Sequence, residues 1–319
     1  MSDFAMAEDR RPWFKTLLRV RGSVIRAVLP RVGICTAFSL IVTLAHEAGM
    51  SVSWPVLGGV VPSLVLGLLL VFRTNASYER FWEGRKLWGN IVNTSRNLAR
   101  QIWVSVDTSR QSKERALKLL VAFAIATKQH LRQQPCEQEL RHLVTPAQLD
   151  KMLGMNSPPL EIAFWLGDYL QVQQLKGRIN PYQLQAMTQQ VNGLVDALGG
   201  CERILKTPLP LAYSIHLKQL LVMYCLALPF QVVSELNLWT VLVVALVAFA
   251  VFGVEEIGLE IENPFGCDPN DLPLNAICRT MEHNIQDLVT LTPSIEKNEQ
   301  QPWQITALLP VGQEKQSIE

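Results

Sequence analysis

Two long stretches without a charged side chain constrain the fold of this chain more than any other feature. Val52 to Phe72 contains 21 residues and Leu236 to Val254 contains 19, none of them Asp, Glu, Lys or Arg. An α-helix rises about 1.5 Å per residue, so the first stretch spans about 31 Å, the thickness of the hydrocarbon core of a bilayer. Both stretches are therefore predicted to cross a membrane as helices.

Two weaker apolar stretches precede the strong ones. Val32 to Ala45 has 14 uncharged residues and Gln219 to Ser234 has 16. Each alone has the length of a buried helix in a soluble protein. Each also lies just before a strong stretch, across a short connector, as expected for a helical hairpin. The sequence therefore predicts four spans in two hairpins, with an entirely soluble helical protein as the alternative.

Lys and Arg are concentrated on one side of the predicted spans. The connectors within the two hairpins, residues 46–51 and 234–235, contain neither. Because basic residues near span ends stay in the cytoplasm, both termini and the long middle segment are predicted to be cytoplasmic. The basic residues that flank the first hairpin are Arg10, Arg11, Lys15, Arg19, Arg21, Arg26, Arg31, Arg73, Arg80, Arg85 and Lys86.

The segment between the hairpins has the pattern of a soluble helical bundle. Asn180 followed by Pro181 is a typical helix start, and the helix after it can continue to about Lys206. Leu119 to Thr127 is apolar but too short to span a bilayer, which predicts a buried core helix. Alternating β-branched runs with tight turns, which would indicate a sheet, are missing.

The predicted fold class is therefore all-α, a polytopic membrane protein with four transmembrane helices and a cytoplasmic helical bundle. Its six predicted segments are a basic amphipathic N-terminus (1–31), the first transmembrane hairpin (32–72), a cytoplasmic helical domain (73–208), the second hairpin (209–254), an acidic loop and helix (255–293) and a C-terminal tail (294–319).

Composition and motifs exclude several classes of protein. Lys and Arg total 29 and Asp and Glu total 28, so the basic excess of a nucleic-acid-binding protein is missing. The six cysteines form no CxxC pair, which argues against a disulfide framework and a zinc site. The sequence has no P-loop, GxGxxG, GxSxG or HExxH motif, so the chain is predicted not to be an enzyme and to need no cofactor.

Two polar stretches at span ends contain residues whose expected role goes beyond packing. Residues 72–85, FRTNASYERFWEGR, mix arginines and glutamates with aromatic side chains, which suits ion-paired docking of the second span onto a cytoplasmic helix. Residues 262–273, ENPFGCDPNDLP, predict a tight irregular loop. Its Asp268 and Asp271 are expected to cap the next helix, with a site for a hard cation as the alternative, because two carboxylates are few for calcium.

These stretches resemble the bestrophin family, in its bacterial branch. The matching residues are FRTNASYERFWEGR at 72–85, PLPLAYSIHLK at 208–218 and NPFGCDPNDLP at 263–273, and the resemblance extends to roughly residue 290. It implies a homopentameric channel in the lipid bilayer of the cell inner (plasma) membrane. It also implies that small monovalent ions pass passively through one axial pore, with a hydrophobic neck formed by the second span and a second constriction below a cytoplasmic vestibule.

The neck is expected at Val60, Leu64 and Leu68. These three positions follow from aligning the family's neck motif on residues 63–67. Their i, i+4, i+8 spacing keeps them within about 80° on one helix face, so five copies would stack as apolar rings. Such rings gate by dewetting. The alternative is that these side chains face lipid or another helix. The second constriction is expected at Ile179 or Tyr182, and the sequence spacing does not choose between them. The alternative is that this segment is only the start of a helix.

The acidic loop departs from the animal members of the family, whose dense acidic run clasps calcium. Three of the residues 267–271 lack a carboxylate, namely Cys267, Pro269 and Asn270, so only a reduced calcium-clasp loop remains and no metal site is predicted. Opening is therefore predicted to be insensitive to micromolar calcium.

Selectivity depends on charge near the pore. No charged residue lies between Glu47 and Arg73, so the neck itself selects no charge. The resemblance slightly favours chloride, whereas acidic residues on the cytoplasmic side would favour cations. A non-conducting membrane scaffold is a further alternative, and a secondary transporter is disfavoured by the missing repeats and intramembrane charges. The acidic candidates for the vestibule are Glu255, Glu256, Asp268 and Asp271.

Overall fold

The computed structural model describes residues 19, 22–54, 60–135 and 137–291, and all the regular structure within these ranges is helical, which confirms the all-α prediction. The predicted C-terminal tail and most of the basic N-terminus lie outside the described residues. In chain order the helices are α1 (Ile25–Glu47), α2 (Val60–Ser105), α3 (Arg110–Arg132), α4 (Glu137–Leu140), α5 (Pro146–Leu153), α6 (Pro158–Leu175), α7 (Pro181–Lys206), α8 (Leu211–Leu236), α9 (Trp239–Glu260) and α10 (Leu274–Thr290).

Four of these helices are long and apolar enough to cross a membrane, namely α1, α2, α8 and α9. The predicted four spans are thereby confirmed. Within the described residues α1 and α2 both pack on α8 and α9 rather than on each other. The helices of the first hairpin are therefore held together by those of the second. Their shared core consists of Val28, Cys35, Leu66, Leu70, Leu217, Leu221, Cys225, Leu228, Val244, Ala248 and Phe252.

The start of the second span differs from the prediction. A helix was expected from Val52, but residues 52–54 are not helical and α2 begins at Val60, while residues 55–59 lie outside the described part. Pro55 accounts for the difference at Trp54, because a proline disfavours the helical conformation of the residue before it. The segment is anchored instead by the Trp54 N–H, which donates to the carbonyl oxygen of Phe230 at 2.8 Å.

Helix α2 continues without interruption from the membrane region into the helical domain predicted to be cytoplasmic, which we call the cytoplasmic domain. It has 46 residues, which corresponds to about 69 Å, and crosses the boundary predicted at residues 72 and 73. Its cytoplasmic half packs along α7. A β-carbon at Gly200 of α7 would lie 2.8 Å from the Leu87 Cδ2 atom of α2, so glycine permits this close approach. One rigid element therefore joins the membrane and cytoplasmic regions.

The cytoplasmic domain is built around α3. All residues from Leu119 to Gln129 on this helix are buried, which confirms the core helix predicted at Leu119 to Thr127. The predicted helix start at Asn180 is also confirmed: its side chain accepts from the N–H of Gln183, whose side chain accepts from the N–H of Asn180. This reciprocal capping fixes where α7 begins.

Candidate functional site

The apolar face predicted for the neck is the exposed face of α2. Leu64 and Leu68 are 61% and 51% exposed, whereas Leu66 and Leu70 are 4% and 6% exposed and pack in the membrane core. At 100° per residue the two pairs point about 160° apart. We call the face with Leu64 and Leu68 the neck stripe. Val60 begins α2, but its side chain lies outside the described residues.

The three sequence motifs meet at one polar cluster, which we call the motif junction and define as Arg73, Arg80 and Glu262. The Arg73 side chain is only 2% exposed, and its Nη2 lies 2.6 Å from Glu262 Oε2. The other carboxylate oxygen of Glu262 accepts from the N–H of Leu209 at 2.9 Å. A buried charge is tolerated only when it is paired and hydrogen-bonded, and the charges of Arg73 and Glu262 meet this condition. Glu262 therefore fastens the second span to the start of α8.

Arg80 extends the motif junction to the end of α7. Its guanidinium donates to the carbonyl oxygen of Glu262 at 3.1 Å and to that of Ile204 at 2.6 Å. It also donates to the carbonyl oxygen of Thr207. The carbonyl oxygens of Ile204 and Thr207 lie at the end of α7, where they have no partner within the helix. The Arg80 side chain therefore supplies hydrogen bonds that water would otherwise have to make. The ion-paired docking predicted for residues 72–85 is confirmed by Glu83, whose carboxylate pairs with the guanidinium of Arg203 on α7.

Gly84 lets the loop after α9 lie directly against α2. A β-carbon at this position would come within 3.0 Å of Pro264 Cγ and 3.1 Å of the ring of Phe265, which is fully buried. Both residues belong to the NPFG motif, and Gly84 belongs to the motif at 72–85. The two motifs are therefore in direct contact.

Glu255 and Glu256, expected among the candidates for an acidic vestibule, are turned into the protein. They are 3% and 8% exposed, and Arg31 Nη1 lies 3.3 Å and 2.6 Å from their respective carboxylates. These ion pairs join α9 to α1. Because the side chains are buried and paired, we assign them a structural role.

The acidic loop closes on itself. The N–H of Asp268 donates to Asp271 Oδ2 at 2.7 Å, while α10 begins after Pro273 with no side-chain cap. The prediction that an aspartate caps this helix is therefore wrong, because the carboxylate of Asp271 is used inside the loop. Burial raises the pKa of Asp271 despite this hydrogen bond.

Asn270 ties the acidic loop to two other parts of the chain. Its amide donates to the carbonyl oxygen of Gly22 at 3.3 Å and to a carboxylate oxygen of Glu260. The carboxylates within residues 267–271 are those of Asp268 and Asp271, and the lack of a calcium site at this loop stays a prediction.

The two candidates for the second constriction have different environments. Ile179 is 5% exposed and belongs to the cytoplasmic core. Tyr182 is 83% exposed and stands on the first turn of α7, between the capping residues Asn180 and Gln183. Tyr182 is therefore the side chain available to another surface or to a pore.

Glu262 is the residue of the motif junction that the sequence analysis did not single out. It was visible only as the first residue of the irregular loop. Two arginines, Arg73 and Arg80, lie at the end of an apolar span, where burial of a cation demands an acidic partner. That requirement, applied to Arg73, would have pointed to an acid next to the NPFG loop.

Comparison with known proteins identifies the family. The family model described as bacterial/fungal bestrophin protein matches residues 5–287. A protein of Nostoc sp., named a voltage-dependent anion channel-forming protein, is 57% identical over 298 residues that cover 92% of this chain and 97% of that one. A protein of Synechocystis sp. with the same descriptive name is 56% identical over 299 residues, with coverage of 92% and 97%.

A solved structure gives the same result for the fold. The crystal structure of a bacterial bestrophin homolog from Klebsiella pneumoniae is 28% identical, with a TM-score of 0.77, and covers 83% of this chain and 100% of that one. The similarity includes the membrane helices and the cytoplasmic bundle, since it spans most of the described residues. The chain is therefore a membrane protein of the bestrophin family, in its bacterial and fungal branch.

Proposed function

We propose that this protein is a homopentameric ion channel that passes small monovalent ions passively through one axial pore, with chloride favoured. The observation that carries the proposal is the neck stripe, an apolar face of α2 directed away from the subunit's own core. The anion channel-forming names of the relatives from Nostoc and Synechocystis support the choice of a channel over an enzyme or a scaffold. We place the channel in the inner membrane with both termini in the cytoplasm, as the distribution of basic residues favours.

The neck is proposed to gate by dewetting. Five copies of Val60, Leu64 and Leu68 facing one axis form stacked apolar rings, and a narrow apolar tube is costly to fill with water and ions. A small outward movement of α2 widens the rings and lets water enter. The gate therefore needs no charged latch within the membrane.

Tyr182 is proposed to form the second constriction. Its exposure on the first turn of α7 favours it over Ile179, which would have to leave the cytoplasmic core to reach a pore. The reciprocal cap at Asn180 and Gln183 holds that turn in place. A ring of tyrosines would narrow the path without adding charge.

The charge distribution supports chloride as the favoured ion. The carboxylates of Glu255 and Glu256 are paired with Arg31, which removes one source of cation preference.

Currents from purified protein in planar bilayers test the selectivity. Under a salt gradient we expect the reversal potential to lie toward the equilibrium potential of chloride. A reversal potential toward that of the cation would assign the channel to cations. Liposomes that show no ion flux at all would favour a non-conducting scaffold.

Paired substitutions on α2 test the neck. Replacing Leu64 and Leu68 by Ala widens and wets the rings, so we expect higher conductance from an intact pentamer. Replacing Leu66 and Leu70 by Ala is the matched control, because it removes the same number of atoms from the packed face, and its currents are compared once the variant is shown to be assembled. Unchanged currents in the Leu64 and Leu68 variant would show that the neck stripe does not face the pore.

Calcium serves as a separate test of the loop. We expect currents to be unchanged when micromolar calcium is added, since only two of the residues 267–271, Asp268 and Asp271, carry a carboxylate. A clear calcium-dependent step in the current would contradict this expectation.

A further inference from the structure

The turn between α6 and α7 carries positive charge in a long stretch of the chain that has no acidic residue. Residues 169–195 contain two charged side chains, Lys176 and Arg178, and both are cationic. They lie in this turn, a few residues before Tyr182, which is proposed to form the second constriction. Because the neck has no charged side chain, the turn is the place next to the proposed pore where the sign of an ion can be distinguished.

Backbone hydrogen bonds fix the position of Arg178. Gly177 follows the end of α6 and has a φ angle of +69°, in the left-handed region that favours glycine. The N–H of Arg178 then donates back to the carbonyl oxygen of Gln173 at 3.0 Å. The carbonyl oxygen of Arg178 accepts from the N–H of Asp107 at 3.1 Å. The turn is therefore tied both to α6 and to the segment between α2 and α3.

Neutral partners hold the guanidinium of Arg178. Its Nη1 donates to Thr108 Oγ1 at 2.7 Å and to Gln173 Oε1 at 3.1 Å. In the part of the chain that the structure describes, no carboxylate forms an ion pair with Arg178 or with the exposed amine of Lys176. Neutral acceptors orient a guanidinium but do not cancel its charge, which stays ionised at any physiological pH. The turn therefore has a fixed positive charge.

This charge lies close enough to Tyr182 to act on an ion there. Four residues of chain separate the Cα atoms of Arg178 and Tyr182 by at most about 14 Å. Charges are screened over about 8 Å at physiological salt and over about 30 Å at 0.01 M salt, so the effect is largest in dilute salt. With the exposed carboxylate of Asp107 counted against Lys176 and Arg178, the turn and the segment bonded to it keep a net positive charge.

We propose that Arg178, assisted by Lys176, gives the second constriction its preference for anions. Five copies place a ring of positive charge beside the ring of Tyr182 side chains, and rings of Lys or Arg favour anions in pores. The neck then controls opening, whereas the turn before α7 controls selectivity. This inference rests on the proposed channel and on the constriction at Tyr182.

Reversal potentials of the purified protein in planar bilayers test the ring, with the same KCl gradient applied near about 0.01 M and near about 1 M. Arg178→Gln removes the charge, so we expect the permeability ratio of chloride to potassium to fall by about threefold or more in dilute salt. The fall should be smaller near 1 M, where the charge is screened. Arg178→Lys keeps the charge and should keep the ratio of the wild-type protein.

Lys206→Gln is the matched control for this substitution. It removes the same charge from the last turn of α7, about 36 Å along the helix from Tyr182, and should leave the permeability ratio unchanged. A fall in this control as large as in Arg178→Gln would show an effect of overall charge and overturn the inference.

Thermal unfolding in detergent shows whether Arg178→Gln is folded. If it is not, Lys176→Gln decides the question, because it removes an exposed amine from the same turn and should lower the ratio in the same direction. A conducting wild-type protein whose ratio stays unchanged in both variants would overturn the inference and leave the proposed channel standing. A wild-type protein without current would contradict the channel itself, and this inference with it.

Discussion

The two halves of α2 belong to one continuous helix but differ in what covers them. In the cytoplasmic half, Trp88, Ile91, Leu98 and Ile102 are all fully buried within the subunit. In the membrane half, residues 61–72, only Leu66 and Leu70 are buried and most of the other apolar side chains are exposed. The cytoplasmic half is therefore stabilised by its own subunit. The membrane half keeps a face for something outside the subunit, which is lipid, a second copy or a pore.

This contrast means that hydrophobicity has two uses along the same helix. In the cytoplasmic half it stabilises the fold by about 25 cal/mol for each Å² of apolar area removed from water. In the membrane half the lipid is as apolar as leucine, so packing with other helices depends on shape and polar contacts rather than on the hydrophobic effect. Substitutions of the same chemistry should therefore lower the free energy of unfolding at covered positions and leave it nearly unchanged at exposed positions.

The largest effect is expected in the cytoplasmic half. Trp88→Ala removes a fully buried side chain and should lower the free energy of unfolding by about 4 kcal/mol. Trp82→Ala on the same helix, where the side chain is 52% exposed, should cost less than about 1 kcal/mol. Thermal unfolding of both variants in detergent measures the difference. Equal losses of stability would mean that the exposed tryptophan is packed against another subunit.

The next effect concerns the motif junction, where the two halves meet. Arg73→Met leaves the carboxylate of Glu262, which is 14% exposed, without its ion-pair partner and should cost about 3 kcal/mol. Adding Glu262→Met removes the unpaired charge, so the double variant should recover much of that loss. A loss in the double variant equal to the sum of the losses in Arg73→Met and Glu262→Met alone would show that the two charges act independently.

A smaller effect is expected where the NPFG loop lies against α2. Gly84→Ala forces Pro264 or the buried ring of Phe265 to move and should cost about 1–3 kcal/mol. Gly89→Ala on the same helix is the control, because the nearest atom to its added carbon is Arg85 Nη1 at 3.6 Å. Because alanine favours a helix more than glycine does, Gly89→Ala should leave the unfolding midpoint unchanged or raise it. Midpoints that fall equally in both variants would contradict the close packing at Gly84.

The smallest effect on stability belongs to the neck stripe. Leu64→Ala should change the free energy of unfolding by less than about 1 kcal/mol, because the side chain has little contact with its own subunit. Leu66→Ala on the packed face should cost about 2–5 kcal/mol. Denaturant titration in micelles compares the two. A large loss for Leu64→Ala would indicate that this face packs on a neighbouring helix.

Local patterns made much of the fold predictable. Residues 119–127 were assigned to a core helix from length and hydropathy, and Asn180 was assigned to a helix start from capping chemistry. Both kinds of signal depend on neighbours in sequence. The start of α2 at Val60 was harder, because hydropathy continues unchanged through Pro55 whereas the backbone does not.

Contacts between distant residues were not predictable in the same way. Arg31 pairs with Glu255 and Glu256, which are more than 200 residues away in sequence. Asp271 was expected to cap the next helix, whereas in the folded chain its carboxylate accepts from the N–H of Asp268. The choice of the neck stripe among the apolar faces of α2 depended on the family resemblance, since leucine facing lipid and leucine facing a pore have the same sequence pattern.

The continuity of α2 also has a mechanical consequence. Leu64 is nine residues above Arg73 and Ser105 is 32 residues below it, which corresponds to arms of about 14 Å and about 48 Å. In the proposed channel, a rigid α2 that pivots at Arg73 would carry Leu64 and Ser105 in opposite directions. A displacement at Ser105 would reach Leu64 reduced about 3.5-fold, so a large motion of the cytoplasmic domain would change the ring diameter only slightly.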